Sequence, residues 1–138
     1  MVKRIGTGDS MNIIHTNDSP RPAGHYSQAV EAQGFVFLSG MLPDISLSDP
    51  SARDFSAQSE AVLRQCQAVL AAAGSTLDDV VQCTAYIVGV ENWPAFNAVY
   101  ARVLGPHKPA RTVVPVPELH HGFLVEVQMT ACRPGIRL

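Results

Sequence analysis

The spacing of apolar residues changes near residue 54, and this change constrains the fold more than any other feature. Across residues 55–73 apolar side chains recur at steps of three and four, with polar side chains on the opposite face. This spacing predicts an amphipathic helix, and Gly74 is a typical residue just beyond a helix end. The apolar runs on either side are shorter and more continuous, as in strands. The chain therefore combines helix and sheet in one compact unit.

A second helix is predicted over residues 93–104, where Trp93, Phe96, Val99, Tyr100 and Val103 share a buried side. Strands are predicted at residues 11–16, 26–32, 35–39, 80–88, 112–116 and 123–132. Two helices can cover one face of a single mixed sheet, which predicts a two-layer α+β domain. Some strands are apolar on both sides, so we expect other copies of the chain to bury the second face.

Length and charge exclude several classes of protein. A chain of 138 residues forms one domain, and its net charge of −2 without clustered Lys and Arg gives no reason to expect nucleic acid. The apolar runs are too short to cross a bilayer, and no apolar segment follows the two basic residues near the start, so we expect no membrane partner and a cytoplasmic location. Residues 1–10 are predicted to be a disordered extension or a non-native remnant, and residues 11–138 a single domain.

The cysteines and histidines give no sign of a metal site. Cys66, Cys83 and Cys132 lack the spacing of a zinc site or a disulfide framework, and are expected to be small buried side chains with nothing beside them to lower a thiol pKa. His120 and His121 are adjacent. They lie in the turn predicted before the last strand, and a surface turn is the favoured interpretation. On an extended segment neighbouring side chains point to opposite faces and cannot readily share one ion, so no metal is predicted.

Arg111 stands at the start of an apolar run, which is unusual because a guanidinium keeps its charge and is costly to bury alone. Two interpretations are open. In one, Arg111 is exposed at a strand end or pairs with a carboxylate that joins two strands. In the other, it lines a pocket and presents its planar group to a carboxylate-bearing ligand, with Glu126 nearby as acid or base.

Six segments occur in an order and spacing that resemble a known family. They are AGHYSQAV, FVFLSG, AVLAAAGSTLDDVVQCTAYI, FNAVYARVL, PARTVV and LVEVQMTA. Together they resemble the RidA/YjgF family of enamine and imine deaminases over residues 11–131. The resemblance implies a chorismate-mutase-like α+β domain that assembles as a homotrimer, with ligand sites in the clefts between subunits.

The resemblance also implies a reaction and a set of residues. Such proteins hydrolyse 2-imino acids and their 2-enamino tautomers to 2-keto acids and ammonia, without a metal or organic cofactor. By this match Arg111 binds the substrate carboxylate, Glu126 orients water or moves a proton, and Tyr26 assists. The other substrate-binding residues implied are Ser39, Gly40, Asn97 and Val113.

Several positions depart from the family pattern. His25 replaces a proline beside Tyr26, and either takes part in the chemistry or only forms part of the pocket rim. Met41, Val113 and Gln128 also differ from common family residues, which leaves the pocket shape and substrate preference open. One alternative is a pathway-specific enamine-acid deaminase, such as an aminomuconate-type enzyme. Another is a non-catalytic trimer that binds small carboxylates.

Overall fold

The computed structural model describes residues 2–5, 11–46 and 48–133. Within them, one mixed sheet carries two helices on one face. The strands are β1 (Val2–Ile5), β2 (Met11–Ile14), β3 (Ala29–Ala32), β4 (Phe35–Leu38), β5 (Val80–Val88), β6 (Ala110–Val116) and β7 (Val125–Cys132). Their order in the sheet is β1-β2-β3-β4-β7-β5-β6. The pair β5 and β6 is parallel, and the other neighbours are antiparallel.

The two helices are α1 (Phe55–Ala72) and α2 (Trp93–Leu104). The Asp54 side chain caps α1 by accepting a hydrogen bond from the Ala57 backbone N–H at 2.8 Å. Gly105 follows α2 with a φ of 67°, a backbone conformation that favours glycine. Since α2 lies between β5 and β6 in sequence, it returns the chain to the same end of the sheet and allows the two strands to run parallel.

The hydrophobic core lies between the helices and one face of the sheet. Its fully buried members include Val62, Leu63, Cys66, Val69, Leu70, Ala85, Ile87, Phe96, Val125 and Val127. Each large side chain in such a core contributes about 1.5–3 kcal/mol through burial. The expected two-layer α+β arrangement is therefore confirmed, and α2 and β5 have the predicted bounds.

The opposite face of the sheet is not covered by either described helix. Side chains alternate along β4, so Val36 and Leu38 enter the core while Phe37 points the other way and is 46% exposed. An uncovered sheet face with a large aromatic side chain is suited to contact with another protein surface. Burial by other copies of the chain stays a prediction.

Three details differ from the sequence-based expectations. Residues 1–10 were expected to be a disordered extension or a non-native remnant; Val2–Ile5 forms a strand paired with β2, and residues 1 and 6–10 lie outside the described residues. The predicted strand at residues 26–32 begins only at Ala29, so Tyr26 lies in the preceding loop. Trp93 is 38% exposed and not on the buried side of α2. Neither described helix is long and apolar enough to cross a membrane.

Candidate functional site

Glu126 lies on the uncovered face of the sheet. Its neighbours Val125 and Val127 are fully buried in the core, so the alternation along β7 directs Glu126 to the other side. There the carboxylate lies beside Gly40, where a Cβ atom would be 3.2 Å from Glu126 Oε2. A residue without a side chain at position 40 therefore leaves room for the carboxylate.

A cleft of about 400 Å³ opens beside Glu126. Tyr26, Ser39 and Gly40 also line it, so the structure brings together four of the residues implied by the sequence. We call these four residues the Glu126 half-site. His25 is exposed and is not among the lining residues, although it neighbours Tyr26 in sequence.

Short hydrogen bonds shape the loop segments of this half-site. The Tyr26 backbone N–H donates to the Gly24 carbonyl at 3.0 Å in a tight turn, and the Tyr26 side chain is 54% exposed at the cleft. The Ser39 hydroxyl donates to the Ser27 carbonyl at 2.5 Å. This bond joins the segment that contains Ser39 to the segment that follows Tyr26. The Ser39 hydroxyl therefore already donates a hydrogen bond within the protein.

Gln28 joins one cleft wall to the sheet, a role that was not predicted. Its amide nitrogen donates to the carbonyls of Thr16, Ser19 and Pro20 at 3.0–3.2 Å, and its amide oxygen accepts from the Thr16 N–H at 2.8 Å. The side chain is only 4% exposed. The sequence does not reveal that this polar side chain is buried. Its hydrogen-bond partners are backbone groups of a loop, and backbone groups are the same whatever residues the loop contains.

Arg111 lies on β6, on the helix-covered face, and is half-buried. Its guanidinium carbon is 4.9 Å from the Tyr100 ring centroid and 5.9 Å from that of Phe96. Its Nη1 donates to Asn97 Oδ1 at 3.1 Å. No described carboxylate lies within ion-pair distance of the guanidinium, so the interpretation as a partner in an ion pair between strands finds no support in this part of the chain.

Arg111, Asn97, Tyr100 and Val113 form a second group, which we call the Arg111 half-site. Val113 is 9% exposed and lies two positions along β6 from Arg111, on the same face. The planar guanidinium is held by a neutral amide and two aromatic rings. Its charge is therefore available to an anionic ligand.

Cys66 and Cys83 are buried as expected, whereas Cys132 is only half-buried, so the expectation that all three are buried is wrong for Cys132. Burial raises the pKa of Cys83 to about 11, while Tyr100 and Arg111 beside it act in the lowering direction. The expectation that nothing beside a cysteine would lower its pKa is therefore wrong for Cys83, although burial dominates. Burial also raises the pKa of the Cys66 thiol and of the Tyr100 hydroxyl. Both groups stay neutral at ordinary pH.

The two half-sites occupy opposite faces of the sheet. Arg111 is in register with Cys83 on β5, which faces Met129 on β7 in the buried layer. Glu126 is in register with Tyr86, three positions further along β5. Two residues that face each other on paired strands point their side chains to the same face of the sheet. Moving one, three or any odd number of positions along a strand reverses that face. One small molecule therefore cannot touch Arg111 and Glu126 of the same chain.

A histidine pair also lines the cleft of the Glu126 half-site. His121 has a φ of 61°, and its ring stacks on that of His120 with centroids 3.8 Å apart. The predicted turn is confirmed, but the expectation that the two side chains point to opposite faces is wrong, because the backbone is not extended here and the rings stack. The described residues contain no group of three side chains able to hold a metal ion.

Known proteins resemble the chain over most of its length. A family model described as endoribonuclease L-PSP matches residues 16–133. The chain belongs to this family. A RutC family protein of Pyrococcus horikoshii is 37% identical over 120 residues, which cover 86% of this chain and 95% of that protein.

Solved structures of the family share both fold and sequence. RidA from an Antarctic Psychrobacter species has a TM-score of 0.79 and 32% identity, over 86% of this chain and 97% of that one. Escherichia coli TdcF with bound serine has a TM-score of 0.81 and 28% identity, over 88% and 98%. The resemblance to the RidA/YjgF family drawn from the sequence is thereby confirmed.

Proposed function

We propose that the protein hydrolyses reactive 2-imino acids and 2-enamino acids to 2-keto acids and ammonia. The reaction would take place in clefts between the subunits of a chorismate-mutase-like homotrimer, without metal or organic cofactor. We further propose a cytoplasmic enzyme with no nucleic-acid or membrane partner. A net charge of −2 offers little attraction to a phosphate backbone, whatever the family description says of ribonuclease activity.

The separation of the two half-sites is the observation that carries this proposal. Each chain offers an Arg111 guanidinium without a described carboxylate partner, and a Glu126 carboxylate in a cleft on the other face. If a neighbouring copy brings its Arg111 to that cleft, a planar carboxylate can be bound beside a proton-transfer group. An interface between copies would also cover the sheet face that carries Phe37.

The proposed chemistry uses these groups in a balanced sequence. Arg111 binds the substrate carboxylate and fixes the imine carbon over the cleft. Glu126 accepts a proton from water as the water oxygen bonds to the imine carbon, and then returns this proton to the nitrogen, which gives a carbinolamine. Glu126 next takes the hydroxyl proton of the carbinolamine and passes it to the amino nitrogen. The carbon–nitrogen bond breaks, ammonia leaves, and the hydroxyl oxygen becomes the carbonyl of the keto acid. The Tyr26 hydroxyl would hold the water or the departing nitrogen by a hydrogen bond.

Two other functions remain open to test. An aminomuconate-type deaminase would use the same half-sites on a larger enamine acid, and the size of the cleft is compatible with one. A non-catalytic trimer would bind small carboxylates without turnover. TdcF was solved with bound serine, a small molecule with a carboxylate, and this is compatible with either binding or catalysis.

The test is ammonia and keto-acid release from 2-iminopropionate generated in situ, with the spontaneous rate subtracted. We expect the parent protein to accelerate release and Arg111→Ala to fall to the spontaneous rate while keeping its oligomeric state. Arg64→Ala is the matched control, because Arg64 lies on the exposed face of α1. No acceleration by the parent, on this substrate or on larger enamine acids, would contradict the proposed reaction and favour a binding role.

A further inference from the structure

The cleft of the Glu126 half-site contains three basic side chains that the proposed reaction does not use. They are Arg21, His120 and His121. We propose that they form a subsite for a second carboxylate, and that the preferred substrates are 2-imino acids with a carboxylate on the side chain. This inference rests on the proposed function, in which Arg111 of a neighbouring copy holds the first carboxylate.

The histidine pair is an organised feature of the cleft. His121 adopts a left-handed backbone conformation with φ 61° and ψ 15°, which is costly for a residue other than glycine. This conformation places its ring on His120, with 3.8 Å between centroids and 22° between planes. The edge of Phe123 meets the His121 ring at 6.4 Å. Both imidazoles are thereby held in one place on the cleft wall.

Buried contacts on the other side of the turn hold the pair in position. Phe123 is only 8% exposed, and the next backbone N–H, of Leu124, donates to Gln58 Oε1 at 2.8 Å. Gln58 is 2% exposed, and its amide nitrogen donates to the Ala52 carbonyl. The turn is therefore anchored to α1 before any ligand arrives, as a preorganised binding site requires.

Arg21 brings a fixed positive charge to the cleft, and the two imidazoles bring ring N–H donors. Arg21, His120 and His121 are exposed, and no described carboxylate lies within ion-pair distance of them. Asp44 and Glu126 are the acidic residues that line the same cleft. A carboxylate beside the three basic side chains would accept hydrogen bonds from the guanidinium and from the imidazoles. A ligand with one carboxylate would leave these donors unused.

The size of the cleft agrees with a longer substrate. Its volume of about 400 Å³ lies within the usual range for ligand pockets, and a three-carbon imino acid fills only a small part of such a space.

The test compares two substrates that differ only at the far end. 2-Iminoglutarate and 2-iminopentanoate have the same number of carbons, and the second has a methyl group in place of the side-chain carboxylate. We expect the parent protein to favour 2-iminoglutarate. The double variant His120→Asn/His121→Asn should lose roughly tenfold or more in kcat/KM on 2-iminoglutarate, mostly through KM, and less than threefold on 2-iminopentanoate. Asparagine tolerates the left-handed backbone, so the turn is preserved.

Two further measurements separate the subsite from the reaction. Arg21→Gln should act in the same direction as the histidine variant, and Arg64→Gln, which removes one positive charge elsewhere, should change neither substrate. Calorimetry measures the affinity of the parent protein for 2-oxoglutarate and for 2-oxopentanoate, and so tests the subsite without turnover. If the parent hydrolyses neither imine but binds 2-oxoglutarate more tightly, the proposed reaction fails and the subsite stands. Equal affinity of the parent for both keto acids, or equal losses on both substrates in the histidine variant, would overturn the subsite.

Discussion

The two half-sites are held in place by different kinds of structure. Arg111 lies on a strand and packs against α2, where aromatic rings and an amide fix its guanidinium. In the Glu126 half-site only Glu126 itself lies within a strand, and Tyr26 and Ser39 belong to loop segments held by hydrogen bonds to backbone carbonyls. The Arg111 half-site is therefore built on a strand and a helix that pack in the core, and the Glu126 half-site is a cleft wall built mostly from loops.

This difference suggests a division of tasks. A rigid half-site suits the group that every substrate shares, because a fixed guanidinium binds a carboxylate in one orientation. A wall built from loops can vary between relatives without disturbing the core, and loops often carry specificity. In the proposed assembly, each cleft would combine the rigid half of one copy with the variable half of its neighbour.

The largest effect is expected when one half-site is inactivated in one chain and the other half-site in a second chain. Arg111→Ala and Glu126→Gln should each lower kcat/KM by roughly a hundredfold or more. Co-expressed chains should form mixed trimers in which some clefts contain both intact half-sites. Random mixing should restore roughly a quarter of parent activity, since each mixed trimer has one intact cleft.

The control for this experiment is a mixture of two defects from the same half-site. Glu126→Gln co-expressed with Tyr26→Ala should show no recovery, because every cleft would receive one defective wall. Recovery in this control, or its absence in the first mixture, would show that Arg111 and Glu126 do not meet across an interface between copies. Size-exclusion chromatography should confirm the same oligomeric state throughout.

Gly40 gives a sharper test of the Glu126 wall. Gly40→Ala would place a Cβ atom 3.2 Å from Glu126 Oε2, and the carboxylate must then move by a few tenths of an ångström. We expect kcat to fall roughly tenfold with little change in KM, because a small misplacement of the proton-transfer group weakens the chemical step. In a protein that already carries Glu126→Gln, Gly40→Ala should lower kcat much less, because the effects of substitutions at two residues in contact do not add. Additive losses would contradict the proposed contact.

The Arg111 half-site should respond differently to two substitutions on α2. Asn97→Ala removes the acceptor for Arg111 Nη1 and should raise KM several-fold by freeing the guanidinium. Tyr100→Phe keeps the ring beneath Arg111 and removes a buried hydroxyl whose polar neighbour is the Cys83 thiol. A thiol is a weak hydrogen-bond partner, so we expect this variant to keep activity and to change the free energy of unfolding by less than about 1 kcal/mol. A large loss of activity in Tyr100→Phe would instead assign a role to the hydroxyl.

The elements that carry the Arg111 half-site were also the easier ones to predict. Helical periodicity and Gly105 predict α2, and a run with one face more apolar than the other predicts β5, so the bounds of both elements follow from local sequence. The roles of Arg111 and Glu126 came from the family resemblance, because their own spacing left two interpretations open. What the sequence did not show is that one chain places them on opposite faces, since this depends on the register of three strands.

The cleft wall was harder to predict for physical reasons. Gln28 is a polar residue whose burial depends on carbonyls from a distant loop. The stacked histidines depend on one left-handed residue, and no strong local signal marks His121 for that conformation. Trp93 is aromatic and was placed with the core side chains, yet it remains partly exposed at the start of α2.

A last prediction concerns the buried layer beneath Arg111. Burial raises the pKa of Cys83 from its ordinary value of 9.0 to about 11, so the unfolded chain releases this proton at lower pH than the folded chain. The contribution of the neutral thiol to stability is therefore complete below pH 9 and is lost as the pH rises toward 11. Each unit of pH in this window should lower the free energy of unfolding by about 1.4 kcal/mol for this group.

Chemical unfolding of the parent, Cys83→Ala and Cys132→Ala between pH 8 and 11 would measure this contribution at one fixed protein concentration. Cys132→Ala is the matched control, because that thiol lies at the end of β7 and is only half-buried. We expect Cys83→Ala to be less stable at pH 8, through its small cavity, but to lose less stability toward pH 11. Burial also raises the pKa of Tyr100 and Cys66, so the remaining slope should keep the same sign. Parallel curves for the parent and Cys83→Ala would mean that water reaches this thiol and that the layer supporting Arg111 is not dry.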